Sequence, residues 1–584
     1  MARAQADPSF VLQFFQEELN SDNVHHRLFA ANNISLIAAA MGPDHARTDL
    51  MNYLLQANQL DGEVQMSLAT CLGNLVKYVG GNEYAHVLLG PLKVLAAAEE
   101  AIVRDKAIES MGTVCNSIPA ANADTNLMQT AHDLASNEYF TSRASACAFI
   151  VKIYSKVSES NKTNLRALFK QLVGDETPMV RRSALKNLPA LCEMLPAPIL
   201  VQEIGHEILM KAVSDDEDSV RLLLPASLSV VSGKISEAER TQTIIYLCKI
   251  IVKDGSWRVR SELANELPTI AKPFSVDVIM NEHWTLLQRL LKDPEAETKT
   301  AACKAVSGIL PLLKDESTFV AEKVIKEVTA LTTDGAPQVR REVSLHLMEF
   351  APIVGNQVTT SVLVPVFIQV LHENDNDASV ALLNSLLTHA DDVDLHSITP
   401  AILGVILEIA GEAKWRVKVV IVKLIPHFAR VLGLDEFTAK LFPLVKMWLG
   451  DNMYAVREAM AAQLPQLVQL FGPDWAVRQL APLILSFSTN ANYLIRQVTL
   501  MCITKLHGSL TLQVMIEQFF KTVIRLAGDK IPNVKFLVAK TLLLFVGSND
   551  PKINSQIQQC LKSLSSDPDT DVKYYACNAQ LKCA

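Results

Sequence analysis

Apolar residues recur along the chain with the spacing of one face of an α-helix. Val180, Ala184, Leu188 and Leu191 follow the positions i, i+4, i+8 and i+11, and Val259 opens a similar stripe. A β-strand would instead alternate apolar and polar side chains with a period of two. The pattern therefore predicts a series of short amphipathic helices.

A short phrase recurs between these stripes: an acidic residue, four turn residues, a β-branched residue, then Arg or Lys. Full copies begin at Asp175, Asp215, Asp254, Asp334, Asp451, Asp529 and Asp567. With degenerate copies included, such as Asp375–Val380, fifteen centres run from Val24 to Val572 at spacings of 37 to 41 residues. A pair of helices this short cannot bury its apolar stripe alone, so neighbouring pairs must stack. We predict an all-α fold, an α-solenoid of about fifteen repeats with two antiparallel helices each, continuous over 1–584.

The phrase has physical roles at the turn between the two helices. We expect the Asp side chain to accept turn N–H groups and to cap the second helix. We expect the Arg or Lys to pair with an acidic residue of the adjacent repeat, which would form a ladder of ion pairs along the stack. Proline nine residues after the centre, at Pro189, Pro268, Pro426 and Pro465, should kink the second helix.

Composition limits the class of protein. A chain of 584 residues is too long for one hydrophobic core, and 49% hydrophobic with 20% charged residues indicates a folded protein. The net charge of −8 opposes a role in coating nucleic acid. The ten cysteines form no CxxC pair, so we expect free thiols rather than disulfides or a zinc site.

Targeting signals are not evident. Asp7, Glu17 and Glu18 interrupt the first residues, which argues against a secretory signal. The most apolar stretch, 357–372, carries Thr359 and Gln369, so we expect no membrane span. These features predict a cytoplasmic protein, with the nucleus as a second compartment.

Catalytic motifs are also not evident. The sequence has no phosphate-binding GxxxxGK[ST] loop and no GxGxxG after a strand. His206 and Glu207 begin a zinc-protease-like phrase that lacks its second histidine. We therefore expect no enzyme activity, no cofactor, no metal and no small-molecule substrate.

The residue two before each centre distinguishes some turns from others. It is aromatic in one early repeat, at Trp257, and in three successive later ones, at Trp415, Tyr454 and Tyr493. Each ring could fold back onto its own helical pair. Because three large aromatics share one register, we favour a protein interface on this ridge of turns. Early turns are acidic instead, which suits a different partner.

The turns also carry a family resemblance. The segments ETPMVRRSA (176–184), KDGSWRVRSELA (253–264), AKWRVK (413–418), YAVREA (454–459) and NVKFLVAKTL (533–542) resemble HEAT repeats of the scaffold (A) subunit of type 2A protein phosphatase. The resemblance extends over essentially 1–584. It implies a non-catalytic scaffold that holds a Ser/Thr phosphatase catalytic subunit together with an exchangeable regulatory subunit in a heterotrimer.

The resemblance also implies where each partner binds. The catalytic subunit is expected on repeats within 400–584, at Trp415, Arg416, Met453, Tyr454, Arg457, Tyr493, Arg496, Lys530, Pro532, Asn533, Lys535 and Phe536. The regulatory subunit is expected on repeats within 1–320, at Glu63, Glu99, Glu100, Asp175, Pro178, Met179, Arg181, Arg182, Asp216, Glu217, Asp218, Ser256, Trp257 and Arg258. No nucleic acid or membrane partner is implied.

A different HEAT adaptor, such as a nuclear transport receptor, is the alternative. Such receptors are usually longer, with acidic inner faces.

Two parts of the sequence depart from the family pattern. These are the repeats around Asp375 and Asn384, where Ala381 replaces a basic residue, and the tail NAQLKCA.

Overall fold

The computed structural model describes residues 7–373, 375–546, 548 and 550–583, and these residues form helices and turns with no β-strand. The chain divides into two compact units, Met1–Leu312 and Leu313–Ala584. Each unit is a stack of helical pairs at the predicted period, numbered here repeats 1–8 in the first unit and 9–15 in the second. The predicted all-α solenoid of paired helices is confirmed.

Each repeat of the first unit contains a first and a second helix, and several first helices include a π-helical or 3₁₀ segment. The first helices are Pro8–Leu19, 43–54, 82–95, Ala120–Ala135, Glu159–Val173, 197–212, 237–251 and 276–291. The second helices are Val24–Asn32 with Ile34–Met41, Gly62–Leu72, Ala101–Ser117, Phe140–Ile153, Pro178–Glu193, Asp218–Arg221 with Leu224–Lys234, Trp257–Ala271 and Ala296–Ile309.

The second unit continues the same alternation. Its first helices are 317–329, 356–372, Leu395–Ile409, 434–449, 473–487, 512–526 and Pro551–Leu564. Its second helices are Pro337–His346 with Leu347–Phe350, Asn376–Thr388, 415–432, Tyr454–Phe471, Tyr493–Leu506, Pro532–Leu542 and Thr570–Cys583. Glycines in the left-handed region make some of the corners between repeats, as Gly433 does at φ 72° and Gly472 at φ 85°.

The apolar stripes form the core of each unit. Val180, Ala184, Leu188 and Leu191 are all fully or almost fully buried, as predicted. The four second helices with a proline nine residues after the centre continue past it, as Pro178–Glu193 does past Pro189. Tertiary packing of the buried stripe therefore offsets the cost of a proline inside a helix.

Two of the predicted centres are wrong by two residues. Val24 is exposed and Val380 half-buried. The buried stripe of repeat 10 begins at Ala378, and in repeat 1 Arg27, which donates to the Ser21 carbonyl as ladder residues do in other turns, places the centre at the exposed His26. In repeat 10 the reason is a shorter turn: Asp375 is itself the N-cap of Asn376–Thr388 and accepts two N–H groups of its first turn. Ser379, not Ala381, therefore occupies the position where other repeats carry a basic residue.

One helical stretch differs from the expectation about membrane spans. Pro337–His372 is long and apolar enough, by length and composition, to cross a membrane, with a mean hydropathy of 1.5 in its most apolar window. Gly355, at φ 75° and ψ 173°, breaks this stretch. It therefore comprises the second helix of repeat 9 and the first helix of repeat 10, each shorter than the about 20 apolar residues of a typical membrane span.

Candidate partner-binding surface

The turns between the two helices of each repeat are built around the recurring Asp. In repeat 5 the Asp175 carboxylate accepts the backbone N–H of Thr177 at 2.9 Å. Thr177 is the N-cap residue of Pro178–Glu193. The Asp thus fixes the turn through the N–H of the N-cap residue and is not itself the cap, except at Asp375. The prediction of turn stabilisation is confirmed, and direct capping is wrong for the other turns.

The basic residue after each centre links two turns. Arg181 donates to the carbonyls of Asp175 and Glu176 in its own turn and, through Nε and Nη2, to the Asp215 carboxylate of the next repeat. The same link recurs in both units, and the predicted ladder is confirmed. Its N–O distances are Arg143–Asp175 2.8 Å, Arg181–Asp215 2.7 Å, Arg221–Asp254 2.6 Å, Arg260–Asp293 2.6 Å, Arg340–Asp375 2.6 Å, Lys418–Asp451 3.0 Å, Arg496–Asp529 2.6 Å and Lys535–Asp567 2.7 Å.

Ladder groups have shifted pKa values. The Arg496 guanidinium holds the pKa of the Asp529 carboxyl below its usual range, and the N–H of Ile531 contributes in the same direction. Asp529 in turn raises the pKa of Arg496. Both groups therefore stay charged through the physiological pH range, and the ladder is a permanent feature of the turn surface.

The ladder is interrupted where an asparagine replaces the acceptor. Arg457 is only 4% exposed and donates to the carbonyls of Asp451 and Asn452 at 2.8 and 2.9 Å. At the ladder position of the next repeat stands Asn490, and Arg457 has no carboxylate partner among the described residues. Burial lowers the pKa of the Arg457 guanidinium. In the first unit Arg104 is in the same position opposite Asn137.

The residues predicted to bind the regulatory partner all lie on turns or on the first turn of second helices in the first unit. Those that are exposed are Glu63, Glu99, Glu100, Met179, Arg182, Asp216, Glu217, Trp257 and Arg258, and those that are half-buried are Asp175, Pro178, Arg181, Asp218 and Ser256. The half-buried residues include three that connect turns: Asp175 and Arg181 are ladder residues, and Ser256 donates to Asp218 at 2.8 Å.

The residues predicted to bind the catalytic partner lie on turns or on the first turn of second helices in the second unit. Trp415, Arg416, Met453, Tyr454, Lys530 and Asn533 are exposed, Tyr493, Arg496, Pro532, Lys535 and Phe536 are half-buried, and Arg457 is buried. Two of the three aromatics predicted at one register are therefore open to a partner, and Tyr493 is partly folded back. The guanidinium of Arg457 is held by its own turn and does not reach the free surface.

A groove of about 500 Å³ runs along the turns of repeats 10–12 and contains much of this exposed set. Trp415, Arg416 and Met453 line it. The guanidinium of Arg416 lies 5.3 Å from the centre of the Trp415 ring. Such a cation on an aromatic face presents one apolar and one positive contact to the same partner.

Sequence reasoning missed two exposed aromatics on the first unit. Tyr139 and Phe140 are 63% and 43% exposed and line a groove of about 830 Å³ together with Glu99 and Glu100. Phe140 lies two residues before the centre of repeat 4, the register of Trp257, and this spacing could have identified it. On the second unit Lys540 was also missed; its Nζ lies 3.8 Å from the centre of the Tyr575 ring.

The surface offers side chains for binding rather than groups for bond chemistry. Within the described ranges no cluster of three or more His, Cys, Asp or Glu residues could hold a metal ion. The cysteines up to Cys560 are buried or half-buried free thiols, and burial raises the pKa of Cys115 to about 12. A thiol with so high a pKa is a poor nucleophile at neutral pH.

Comparison with known proteins supports the resemblance to type 2A phosphatase scaffold subunits. No family model matches the chain. The A-type regulatory subunit of protein phosphatase PP2A from Schizosaccharomyces pombe is 36% identical over 283 residues, which cover 48% of this chain and 47% of that protein. The beta isoform of the A-type 65 kDa regulatory subunit of serine/threonine-protein phosphatase 2A from Homo sapiens is 32% identical over 383 residues, 65% of this chain and 63% of that one. The resemblance to type 2A phosphatase scaffold subunits is confirmed.

The alignment with the first of these relatives spans about half the length of each protein. The relatives of this type 2A scaffold-like chain are named regulatory or scaffold subunits, which supports a regulatory role for it. Among solved structures, Kap95p with RanGDP matches with a TM-score of 0.61 at 14% identity over 99% of this chain and 78% of that one. Importin beta matches with a TM-score of 0.51 at 12% identity, over 98% and 84% of the two chains. At this identity the matches show the helical solenoid fold alone.

Proposed function

We propose that the chain is a non-catalytic scaffold of a type 2A Ser/Thr phosphatase. The turns of repeats 11–15 hold the catalytic subunit, and the turns of repeats 2–8 hold an exchangeable regulatory subunit. The observation that carries the first assignment is the groove in which Trp415, Arg416 and Met453 meet beside the exposed ring of Tyr454. Exposed aromatic and Arg side chains clustered on one surface have the composition of protein-binding hot spots.

The scaffold acts by holding its two partner subunits close to each other. Two subunits held on one chain meet at a high effective concentration and in a restricted geometry, so a regulatory subunit brings its substrate to the catalytic subunit without forming any bond to it. Each repeat contacts only its neighbours, and stability is therefore spread along the stack rather than concentrated at the binding turns. This leaves the turn side chains free to vary with the partner.

We propose no phosphatase activity for the chain itself. The alternative function, a nuclear transport receptor, is supported only by the fold. Purified chain should accordingly hydrolyse no phosphoester, and it should still bind a type 2A catalytic subunit. Hydrolysis that follows the chain through purification would contradict a purely structural role.

The decisive experiment compares catalytic-subunit binding by the wild type and by Trp415→Ala with Tyr454→Ala. Loss of buried interface aromatics typically costs about 2 kcal/mol or more, so affinity should fall at least about 30-fold. Tyr246→Ala is the matched control, because Tyr246 is half exposed on a first helix of the other unit. Unchanged affinity in the double variant, with helicity retained, would rule out this surface as the catalytic-subunit site.

The regulatory-subunit assignment is tested on the preformed complex with the catalytic subunit. Arg182→Glu and Trp257→Ala should each weaken regulatory-subunit binding, because both side chains are exposed on first-unit turns. Catalytic-subunit binding should stay at the wild-type level in both variants. Loss of both partners together would show that the substitution had unfolded the repeat stack instead.

A further inference from the structure

A groove of about 250 Å³ crosses the second helices of repeats 12, 13 and 14 within the second unit. Its lining is mostly apolar: Val498 and Leu500 are buried there, and Met501 and Leu537 are half-buried. None of the described residues that line it also lines the turn groove around Trp415, so the two are separate surfaces. An apolar lining with a few polar groups is the usual composition of a small-molecule site.

Two lysines at this groove lack an anionic partner. Lys505 and Lys540 are exposed, and both line the groove. Neither forms an ion pair or a side-chain hydrogen bond with any described residue. The Nζ atom of Lys540 lies 3.8 Å from the centre of the Tyr575 ring and 5.0 Å from that of Phe536. The ring faces hold the ammonium by cation–π attraction but leave its N–H groups without an oxygen acceptor.

A third cation contributes charge from the wall of the groove. Arg457 lines the groove but is only 4% exposed, and its Nη1 group donates to the carbonyls of Asp451 and Asn452. The Asp451 carboxylate pairs with Lys418 instead, and the ladder position of the next repeat is the uncharged Asn490. Because a buried charge without a counter-charge is poorly screened, Arg457 makes the groove more positive without touching a ligand.

One carboxylate opposes these charges. Of the described lining residues only Glu458 is acidic, so three cations face one anion and the groove has an excess of two positive charges. Glu458 lies near the beginning of its helix, whereas Lys505 and Lys540 lie near the ends of theirs. Successive second helices run side by side in one direction, since the ladder joins the turns at which they begin, as Arg496–Asp529 does. The lysine end of the groove is therefore remote from Glu458.

The volume of the groove restricts what it binds. Each water molecule takes about 30 Å³ in the liquid, so the groove has room for roughly eight non-hydrogen atoms. That is one short alkyl chain or one ring together with its charged group. A polypeptide would place no more than a side chain or two here.

We propose that this groove binds a small organic anion, a carboxylate carried on a short alkyl chain or on a ring. The carboxylate accepts hydrogen bonds from the ammonium groups of Lys505 and Lys540, and the apolar body packs against Met501 and Leu537. Arg457 strengthens the binding through its charge. The site belongs to the chain alone, so the proposal does not depend on the scaffold function proposed above.

A titration of the full chain with hexanoate, which has the required size, tests this. Methionine labelled with ¹³C at its methyl group provides the readout, and the Met501 signal is identified by its loss in Met501→Leu. Hexanoate should shift the Met501 signal saturably and leave that of Met179, on the first unit, unchanged. 1-Hexanol, which lacks the charge, should bind about 10-fold more weakly.

Three outcomes of this titration would overturn the proposal. One is a Met501 signal that does not move at millimolar hexanoate, and another is equal binding of hexanol. The third is a blocked tripeptide of leucine, glutamate and leucine that binds more tightly than hexanoate, because the groove would then serve a polypeptide.

Two variants test the charges separately. Lys505→Gln with Lys540→Gln should weaken hexanoate binding at least about 10-fold, and both side chains are exposed, so the variant should fold. Asn490→Asp gives Arg457 a carboxylate and should weaken binding about 3-fold.

Asn137→Asp is the matched control for Asn490→Asp. It makes the same change opposite Arg104 in the first unit, where Asn137 accepts the N–H of Tyr139 at 2.9 Å as Asn490 accepts that of Asn492. Hexanoate affinity should stay at the wild-type level in this control. Unchanged affinity in the double lysine variant, or equal effects of the two Asn→Asp changes, would contradict the assigned roles of these cations and overturn the proposal.

Discussion

Repeats 4–8 of the first unit and repeats 10–13 of the second share the same turn motif but differ in how completely ion pairs link one turn to the next. In repeats 4–8 four consecutive Arg–Asp links, from Arg143 to Asp293, neutralise one turn after another. In repeats 10–13 the ladder is interrupted twice, at Ser379 and at Asn490. The exposed rings of Trp415 and Tyr454 lie on the turns next to these interruptions.

The comparison separates two roles of the same turn: joining neighbouring repeats by charge pairs, and presenting exposed aromatic side chains. A continuous ladder fixes the spacing of neighbouring turns through charge pairs, whereas each interruption removes one such pair: the basic residue is missing at Ser379 and the carboxylate at Asn490. Arg457 shows the intermediate case, because it keeps the contacts to its own turn but has lost the carboxylate. The ladder is therefore a stability device that repeats 10–13 carry only in part, and breaking or restoring single links tests that.

The largest effect is expected from breaking a complete link in the first unit. Arg221→Met leaves the Asp254 carboxylate, which is 8% exposed, without its guanidinium. Removing one partner of a buried pair typically costs about 3 kcal/mol or more of unfolding free energy. Denaturant unfolding with hydrogen exchange at repeats 6 and 7 measures it.

Arg457→Met is the matched change at an interruption, because no carboxylate is left behind there. Its cost should be smaller by at least about 1 kcal/mol, the value of the missing charge contact. Equal costs for the two variants would show that the turn carbonyls, not the ladder, provide the stability.

A second contrast concerns pH and lies in the first unit. His283 is fully buried against the Phe274 ring, at 4.6 Å between ring centres, and burial lowers its pKa to about 4. The folded state therefore keeps His283 neutral while the unfolded state takes up a proton below about pH 6.5. The contribution of the neutral His283 to the unfolding free energy is therefore complete above that pH. It falls by up to about 3 kcal/mol as the pH drops towards 4.

His283→Phe should remove this part of the pH dependence, which thermal unfolding between pH 7 and pH 4 measures. The Asp529 carboxyl, whose pKa Arg496 holds down, loses its contribution only at lower pH, below about 4, where it becomes protonated. A wild type whose stability is flat from pH 6.5 to 4.5 would contradict the role assigned to His283.

The smallest expected change is a gain in stability. Asn490→Asp should restore the missing link to Arg457, since Asn490 Oδ1 already accepts the N–H of Asn492 at 2.9 Å and Asp can keep that bond. We expect a stabilisation of about 1 kcal/mol, seen as a higher midpoint of thermal unfolding and reduced at high salt. Asn533→Asp adds the same charge on an exposed turn residue and should change stability much less.

Much of this surface could be predicted from the sequence, and the exceptions have local causes. The aromatic register identified Trp257, Trp415 and Tyr454, because the period of the repeat fixes which residue lies on each turn. It did not identify Tyr139, one residue outside the register, or the burial of Arg457. Whether a long side chain reaches solvent or folds onto a turn carbonyl depends on the neighbouring repeat.

The sequence by itself determined the repeated helical pair, its period, the buried stripe and the ladder, because each depends on residues within one or two repeats. Only the tertiary structure decided which links close, where the turn of repeat 10 shortens at Asp375, and that Gly355 divides 337–372 into two helices. It also decided that Tyr454 is exposed whereas Tyr493, at the same register of the next repeat, is half-buried. The physical reason is common to all four: a residue's exposure and partners are set by the repeat stacked against it, and local spacing does not specify that neighbour.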